Sequence, residues 1–68
     1  MNEIIFLIEE DPEGEYIATA IGEDIITDGD TMQEIKENVK DAVECHFEVE
    51  KRPKLIRLQM VKEEVIVV

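Results

Sequence analysis

Only one stretch of this chain can form a long helix, and that helix cannot be stable alone. It opens at Gly29-Asp30-Thr31-Met32-Gln33-Glu34-Ile35, and its pattern runs to about Val49. The Thr31 hydroxyl is placed to accept from the free backbone N–H groups of the first turn. Glu34, three residues on, is placed to reach back to the N–H of Thr31, which makes a capping box. Asp30 and Glu34 also put negative charge at the positive end of the helix dipole. Met32, Ile35, Val39, Ala42, Val43, His46 and Val49 recur at three- and four-residue spacing on one face; Gln33, Glu34, Glu37, Asp41, Glu44 and Glu48 fill the other. Lys40 is spaced to pair weakly with Glu37 and Glu44. Such a one-sided helix must lay its apolar stripe on something, and the rest of the chain offers strands.

Ile4-Ile5-Phe6-Leu7-Ile8 is too short for a helix and rich in β-branched residues. It predicts a central strand covered on both faces, one by the helix and the other open to cover by a second copy of the protein. Asp11-Pro12-Glu13-Gly14-Glu15 is a turn by composition. Tyr16 to Ile21 predicts a second strand whose small alanines press against the helix. Gly22-Glu23-Asp24 is a second turn, and Ile25-Ile26-Thr27 a short third strand. Asp28 and Asp30 have the spacing that starts a calcium loop, but the remaining ligands and the closing glutamate are missing, so no metal site is expected. Beyond the helix, Glu50-Lys51-Arg52-Pro53-Lys54 is a polar break that Pro53 keeps from being helical. Leu55 to Val61 alternates, with Leu55, Arg57, Gln59 and Val61 on one face and Ile56, Leu58 and Met60 on the other. Val65-Ile66-Val67-Val68 predicts a further extended piece, either folded back on Leu55–Val61 or joined to a neighbouring subunit. The expected fold is α+β: an antiparallel sheet in the order β-β-β-α-β(-β) with one helix packed on it, as a single domain over residues 1–68.

A chain of 68 residues buries only roughly 60% of its unfolded surface, so stability is marginal without help. One cysteine excludes an internal disulfide, and no Cys/His cluster offers zinc. Self-association is the remaining aid, and a homodimer or higher oligomer is expected. Glu3 stands where a signal peptide would carry a basic residue, and no apolar run approaches the ~20 residues that span a bilayer. A cytoplasmic protein is expected. The net charge of −11, from 18 acidic and seven basic residues, disfavours direct nucleic-acid binding and anionic membrane surfaces, because both carry negative charge. A basic partner would be attracted and steered.

No catalytic constellation is visible. Cys45 and His46 are adjacent, and adjacent helical residues diverge by roughly 100°. Both are expected as packing residues. There is no serine, the acids are scattered over turns and the outer helix face, and the three glycines sit singly in turns. No catalytic, cofactor-binding or metal-binding residue is therefore assigned, and the chain is expected not to be an enzyme.

Two segments resemble the HicB-like antitoxin family. One is Glu10-Asp11-Pro12-Glu13-Gly14-Glu15-Tyr16-Ile17-Ala18, which is similar to the family's acidic turn followed by Gly-x-Tyr-x-Ala. The other is Gly29-Asp30-Thr31-Met32-Gln33-Glu34 through Glu37-Asn38-Val39-Lys40-Asp41-Ala42-Val43-Glu44, similar to its Gly-Asp-Thr opening of an acidic helix. The match covers about two-thirds of the chain. It departs at Ile21-Gly22-Glu23-Asp24, where the family carries Leu-Pro-Gly, and it corresponds to the N-terminal partial RNase H-like domain, with no separate DNA-binding domain. The resemblance implies a fold without nuclease activity, because the run Ile4–Ile8 has no carboxylate where RNase H enzymes place a metal ligand. It also implies self-association and the binding of a small basic RNA-cleaving toxin of the HicA type. The expected function is thus that of an antitoxin-type protein that homodimerises and neutralises such a toxin. The alternative is an orphan homo-oligomeric accessory or scaffold protein. Glu34, Glu37, Asp41, Glu44 and Glu48 are the candidate partner-binding residues. Leu58, Met60, Val65, Ile66 and Val67 are the candidates for self-association.

Overall fold

The computed structural model describes residues 2–62 and 64–68. Four strands and one α-helix follow in the order β1 (Glu3–Glu10), β2 (Tyr16–Ala20), β3 (Ile26–Gly29), α1 (Met32–His46) and β4 (Leu55–Met60), with a short 3-10 turn at Val49–Lys51. The sheet order is β3-β2-β1-β4, and α1 lies across one face. The fold is α+β, as the sequence indicates.

The first hairpin forms because Asp11 holds it. Its Oδ1 accepts from the backbone N–H groups of Glu13 and Glu15 at 2.9 Å each, while Gly14 takes the left-handed φ of 91° that the turn requires. The antiparallel register then sets Phe6 opposite Ala20 and Ile8 opposite Ala18. Large residues of the central strand thus stand beside small ones of its neighbour, and α1 can approach. Ala18 and Ala20 are buried, as their size suggests. Ile4, Phe6 and Ile8 from β1 meet Ile35, Val39 and Val43 from α1 in one core, with Ile25 closing one end. These side chains are almost entirely removed from water, and each contributes roughly 1.5–3 kcal/mol by its burial.

The helix starts where the capping residues place it. Thr31 is the N-cap, and its Oγ1 accepts from the Glu34 N–H at 3.1 Å. The reciprocal bond from the Glu34 side chain is not among those of the described residues, so the cap is one-sided. Gly29 lies buried beneath this first turn, where a β-carbon would stand 2.9 Å from the Ile35 nitrogen.

Several expectations need correcting. The sheet is mixed, because β4 pairs with β1 in parallel, from Glu3 opposite Leu55 to Ile8 opposite Met60. The reason is directional: β1, β2 and β3 alternate up, down and up, α1 carries the chain back down, and β4 must run up again beside β1. A helical crossover is the connection that parallel pairing requires. The helix ends at His46 rather than near Val49. Phe47 leaves it in an extended conformation, with its N–H donating to the Val43 carbonyl, and Val49 is exposed. The expected pairs of Lys40 with Glu37 and Glu44 do not form; Glu37 instead accepts from the Gln33 side chain at 3.3 Å. Finally, Val65–Val68 forms no strand and does not fold back on β4.

Candidate functional site

Two surfaces carry the residues singled out from the sequence. The first is the outer face of α1, where Glu34, Glu37, Asp41 and Glu44 are all exposed. Glu48 lies past the helix end, as the N-cap of the 3-10 turn, and is exposed beside that face. None of the five is in an ion pair among the described residues; the pairs there are His46 with Glu23 and Arg57 with Glu3. Four carboxylates one or two turns apart on one rod make a strip of negative charge, broken by Lys36 and Lys40.

Apart from the strip, of which only Glu34 falls in the first half, the chain has a wider asymmetry. Residues 1–35 hold eleven of the 18 Asp and Glu residues and none of the seven Lys and Arg; residues 36–68 hold seven of each. Ten of those eleven acids lie in β1, β2, β3 and their turns, and the eleventh, Glu34, in the first turn of α1. Glu23, Asp24, Asp28 and Asp30 cluster at the β3 end of the sheet.

The second surface is the opposite end of the sheet. Among the described residues β4 is an edge strand with no neighbour beyond it. Lys51, Arg52, Lys54, Arg57 and Lys62 lie on it or beside it, five of the seven basic residues. A groove of about 280 Å³ separates the second half of α1 from the start of β4, with Val43, Pro53, Leu55 and Ile56 as its apolar wall and Lys40, Arg52 and Lys54 at its rim. Arg52 donates one Nη to the Glu44 carbonyl at 3.2 Å. Its buried Nε has no hydrogen-bond partner among the described residues.

The self-association candidates divide by environment. Leu58 is half-buried and packs on the core. Met60, one step along the same face, is exposed. Val65, Ile66 and Val67 are 81%, 83% and 92% exposed, the most open apolar run of the chain. The molecule measures 51 × 22 × 17 Å along its principal axes, far longer than an eight-strand-residue body of roughly 26 Å at about 3.3 Å per residue.

One surface was not assigned from the sequence. The sheet face turned away from α1 carries Ile5 and Leu7, half-buried, with Ile17, Ile26 and Leu55 exposed. The alternation in Tyr16–Ile21 marked its β2 part: the alanines on one side leave Ile17 and Ile21 on the other. The expectation that β1 is covered on both faces holds only for the helix side within one chain.

His46 requires a correction. It sits at the last turn of α1, exposed, and not packed in the stripe. Its Nε2 is 3.5 Å from Glu23 Oε2, and its ring meets Phe47 edge-on at 4.8 Å. Helix end and β2–β3 turn are joined there. Cys45 is exposed as a free thiol. Among the described residues no cluster of three or more His, Cys, Asp and Glu is placed to hold a metal ion, and no helix is long and apolar enough to cross a membrane.

Comparison with known proteins adds two relatives. A UPF0150 protein of Archaeoglobus fulgidus is 56% identical over 52 residues, which cover 76% of this chain and 77% of that protein. A UPF0150 protein of Thermotoga maritima is 42% identical over 67 residues, covering 98% of this chain and 94% of the other. No family model matches the chain, and no solved structure matches it.

Proposed function

This chain belongs to the UPF0150 family, and we propose that it is a non-catalytic, antitoxin-type protein similar to the HicB-like family. It self-associates and binds a small basic RNA-cleaving toxin of the HicA type. The observation that carries this reading is that the whole net negative charge falls in the first half of the chain. Eleven acids without a basic residue in the first 35 positions create a field that raises the encounter rate with a basic protein. The exposed strip Glu34, Glu37, Asp41 and Glu44, with Glu48 beside it, lies on a rigid helix and offers carboxylates to Lys and Arg of such a partner. Charge-assisted pairs of this kind are the stronger class of hydrogen bond.

The test is capture with tagged full-length protein from native lysate, eluted by a salt step. The expected result is a small basic protein that degrades RNA once released and stops when the chain is added back at low salt. Reversing Glu37, Asp41 and Glu44 to lysine should abolish the capture while leaving the circular dichroism spectrum unchanged. A captured protein without ribonuclease activity, or capture indifferent to these reversals, overturns the reading.

A further inference from the structure

We infer that copies of this chain associate by strand exchange, with the segment around Val65–Val68 of one copy laid along the outer edge of β4 of another. The inference deepens the self-association in the proposed function and rests on it. It names which edge is used and what occupies it.

The two ends of the sheet are not equivalent. β3 is four residues long, and the Asn38 side-chain amide donates to its Asp28 carbonyl at 2.7 Å. That bond uses a backbone acceptor that an incoming strand would need. Acids surround this end, so a second copy is repelled there. A short, side-chain-capped, charged strand is a protected edge. β4 is six residues long, and no side-chain bond to its backbone occurs among the described residues. Its flanks hold five of the seven basic residues. These bases are interleaved with acids, but here, unlike at β3, an incoming carboxylate has cations within reach.

The occupant has matching chemistry. Val65, Ile66, Val67 and Val68 are all β-branched and all exposed, a composition that favours extended pairing. Glu64 precedes them, an acid to set against Lys51, Arg52 or Lys54. The groove beside β4 supplies an apolar wall from Val43, Pro53 and Ile56. Strand addition works in this way, with main-chain bonds giving affinity and alternate side chains entering a groove. Reach is sufficient, since residues 61–68 span roughly 26 Å when extended, at about 3.3 Å each, and β4 spans less. Within one chain the segment leaves β4 at its far end and does not return; a second copy has its own β4 free to receive it.

The experiment uses two full-length chains, both with Cys45→Ser, one with Leu55→Cys and the other with Val67→Cys. Leu55 and Val67 are exposed, so neither change disturbs the core. The chains are expressed separately, one isotopically heavy, unfolded and refolded together, treated with a short bismaleimide and weighed intact. Native mass is recorded in parallel. The expected product is the mixed pair, Leu55→Cys joined to Val67→Cys, in clear excess over either like pair. A dominant like pair of Leu55→Cys chains overturns the inference in favour of edge-to-edge contact. An oligomer with no mixed product overturns the exchange while the self-association stands. A monomer by native mass overturns both.

Discussion

Replacing Gly29 with alanine tests whether α1 begins where it does because β3 lets it come close. Gly29 does not use a left-handed backbone, so alanine carries no conformational penalty there. The obstacle is steric. A β-carbon would stand 2.9 Å from the Ile35 nitrogen and 3.3 Å from the Glu34 carbonyl carbon and the Ile35 α-carbon. All three are backbone atoms of the first helical turn, which Thr31 caps and Ile35 anchors in the core. The helix cannot yield by turning a side chain; its first turn must lift from the sheet. Overpacking of this kind costs about 1–3 kcal/mol, and the loss of glycine's unfolded-state freedom returns about 0.4–1 kcal/mol. The net expectation is a loss of about 1–2 kcal/mol, or roughly 5–15 °C in Tm for a domain of this size. Thermal and urea unfolding followed by circular dichroism measure it, at one fixed protein concentration so that any mass-action term is constant. Gly14→Ala is the matched control, since it meets no atom within 4 Å but has a φ of +91°, and so loses stability through conformation alone. A Gly29→Ala chain as stable as the parent would refute the close approach of helix and strand.

Three further outcomes follow from the same contacts. Thr31→Ala removes the oxygen that accepts from the Glu34 N–H and should lower stability by about 1 kcal/mol; an unchanged urea midpoint would show that the cap is replaced by solvent. Phe6→Ala empties the centre of the core, where Phe6 is fully buried, and should cost about 3–5 kcal/mol, enough to leave a 68-residue chain largely unfolded at 37 °C by circular dichroism. Raising salt from roughly 0.01 to 1 M shortens the screening length from about 30 to about 3 Å. Because the chain carries −11 and only two ion pairs are found among the described residues, its Tm should rise with sodium chloride; a fall would mean that attractive pairs outweigh self-repulsion.

The helix was legible because three independent signals coincide on it: the Thr31 cap, the stripe Ile35-Val39-Val43 and the polar opposite face. β1 and the Asp11–Glu15 turn were legible for similar reasons. The C-terminal end of α1 was not. The stripe continues in sequence through His46 to Val49, but the core beneath it is used up at Val43, and Phe47 turns out of the helix to pack at its end. The parallel pairing of β4 was present in the connectivity, yet alternation reports only which residues share a face and says nothing of strand direction. The exposed sheet face was the hardest to see. Ile5 and Leu7 read as buried because a continuous apolar strand in a parallel sheet is covered twice, whereas here one cover is missing from the single chain. Of the candidate site, the acids were readable as exposed from periodicity alone. The division of charge between the two ends of the sheet was not, because it depends on β4 lying beside β1 and not beside β3.

That division bears on the proposed self-association of so acidic a chain. Two bodies of −11 repel at long range, but at physiological ionic strength the screening length is about 8 Å. Charges farther apart than this scarcely interact, so the contact energy depends on the groups within a few ångströms of the interface and not on the total. Around β4 those groups are Lys51, Arg52, Lys54, Arg57 and Lys62, set among Glu3, Glu44, Glu48 and Glu50 and, beside Val61 and Lys62, Glu9, Glu10 and Asp11, a neighbourhood of mixed sign. Around β3 they are Glu23, Asp24, Asp28 and Asp30 with no cation in the first 35 residues. Acids stand beside cations around β4 and without them in the β3 segment, so a like copy is opposed more strongly at β3. On the proposed reading the acidic end and the outer face of α1 serve a partner of opposite charge, and only Glu44, which also lines the groove beside β4, is shared with the strand edge proposed to join the copies.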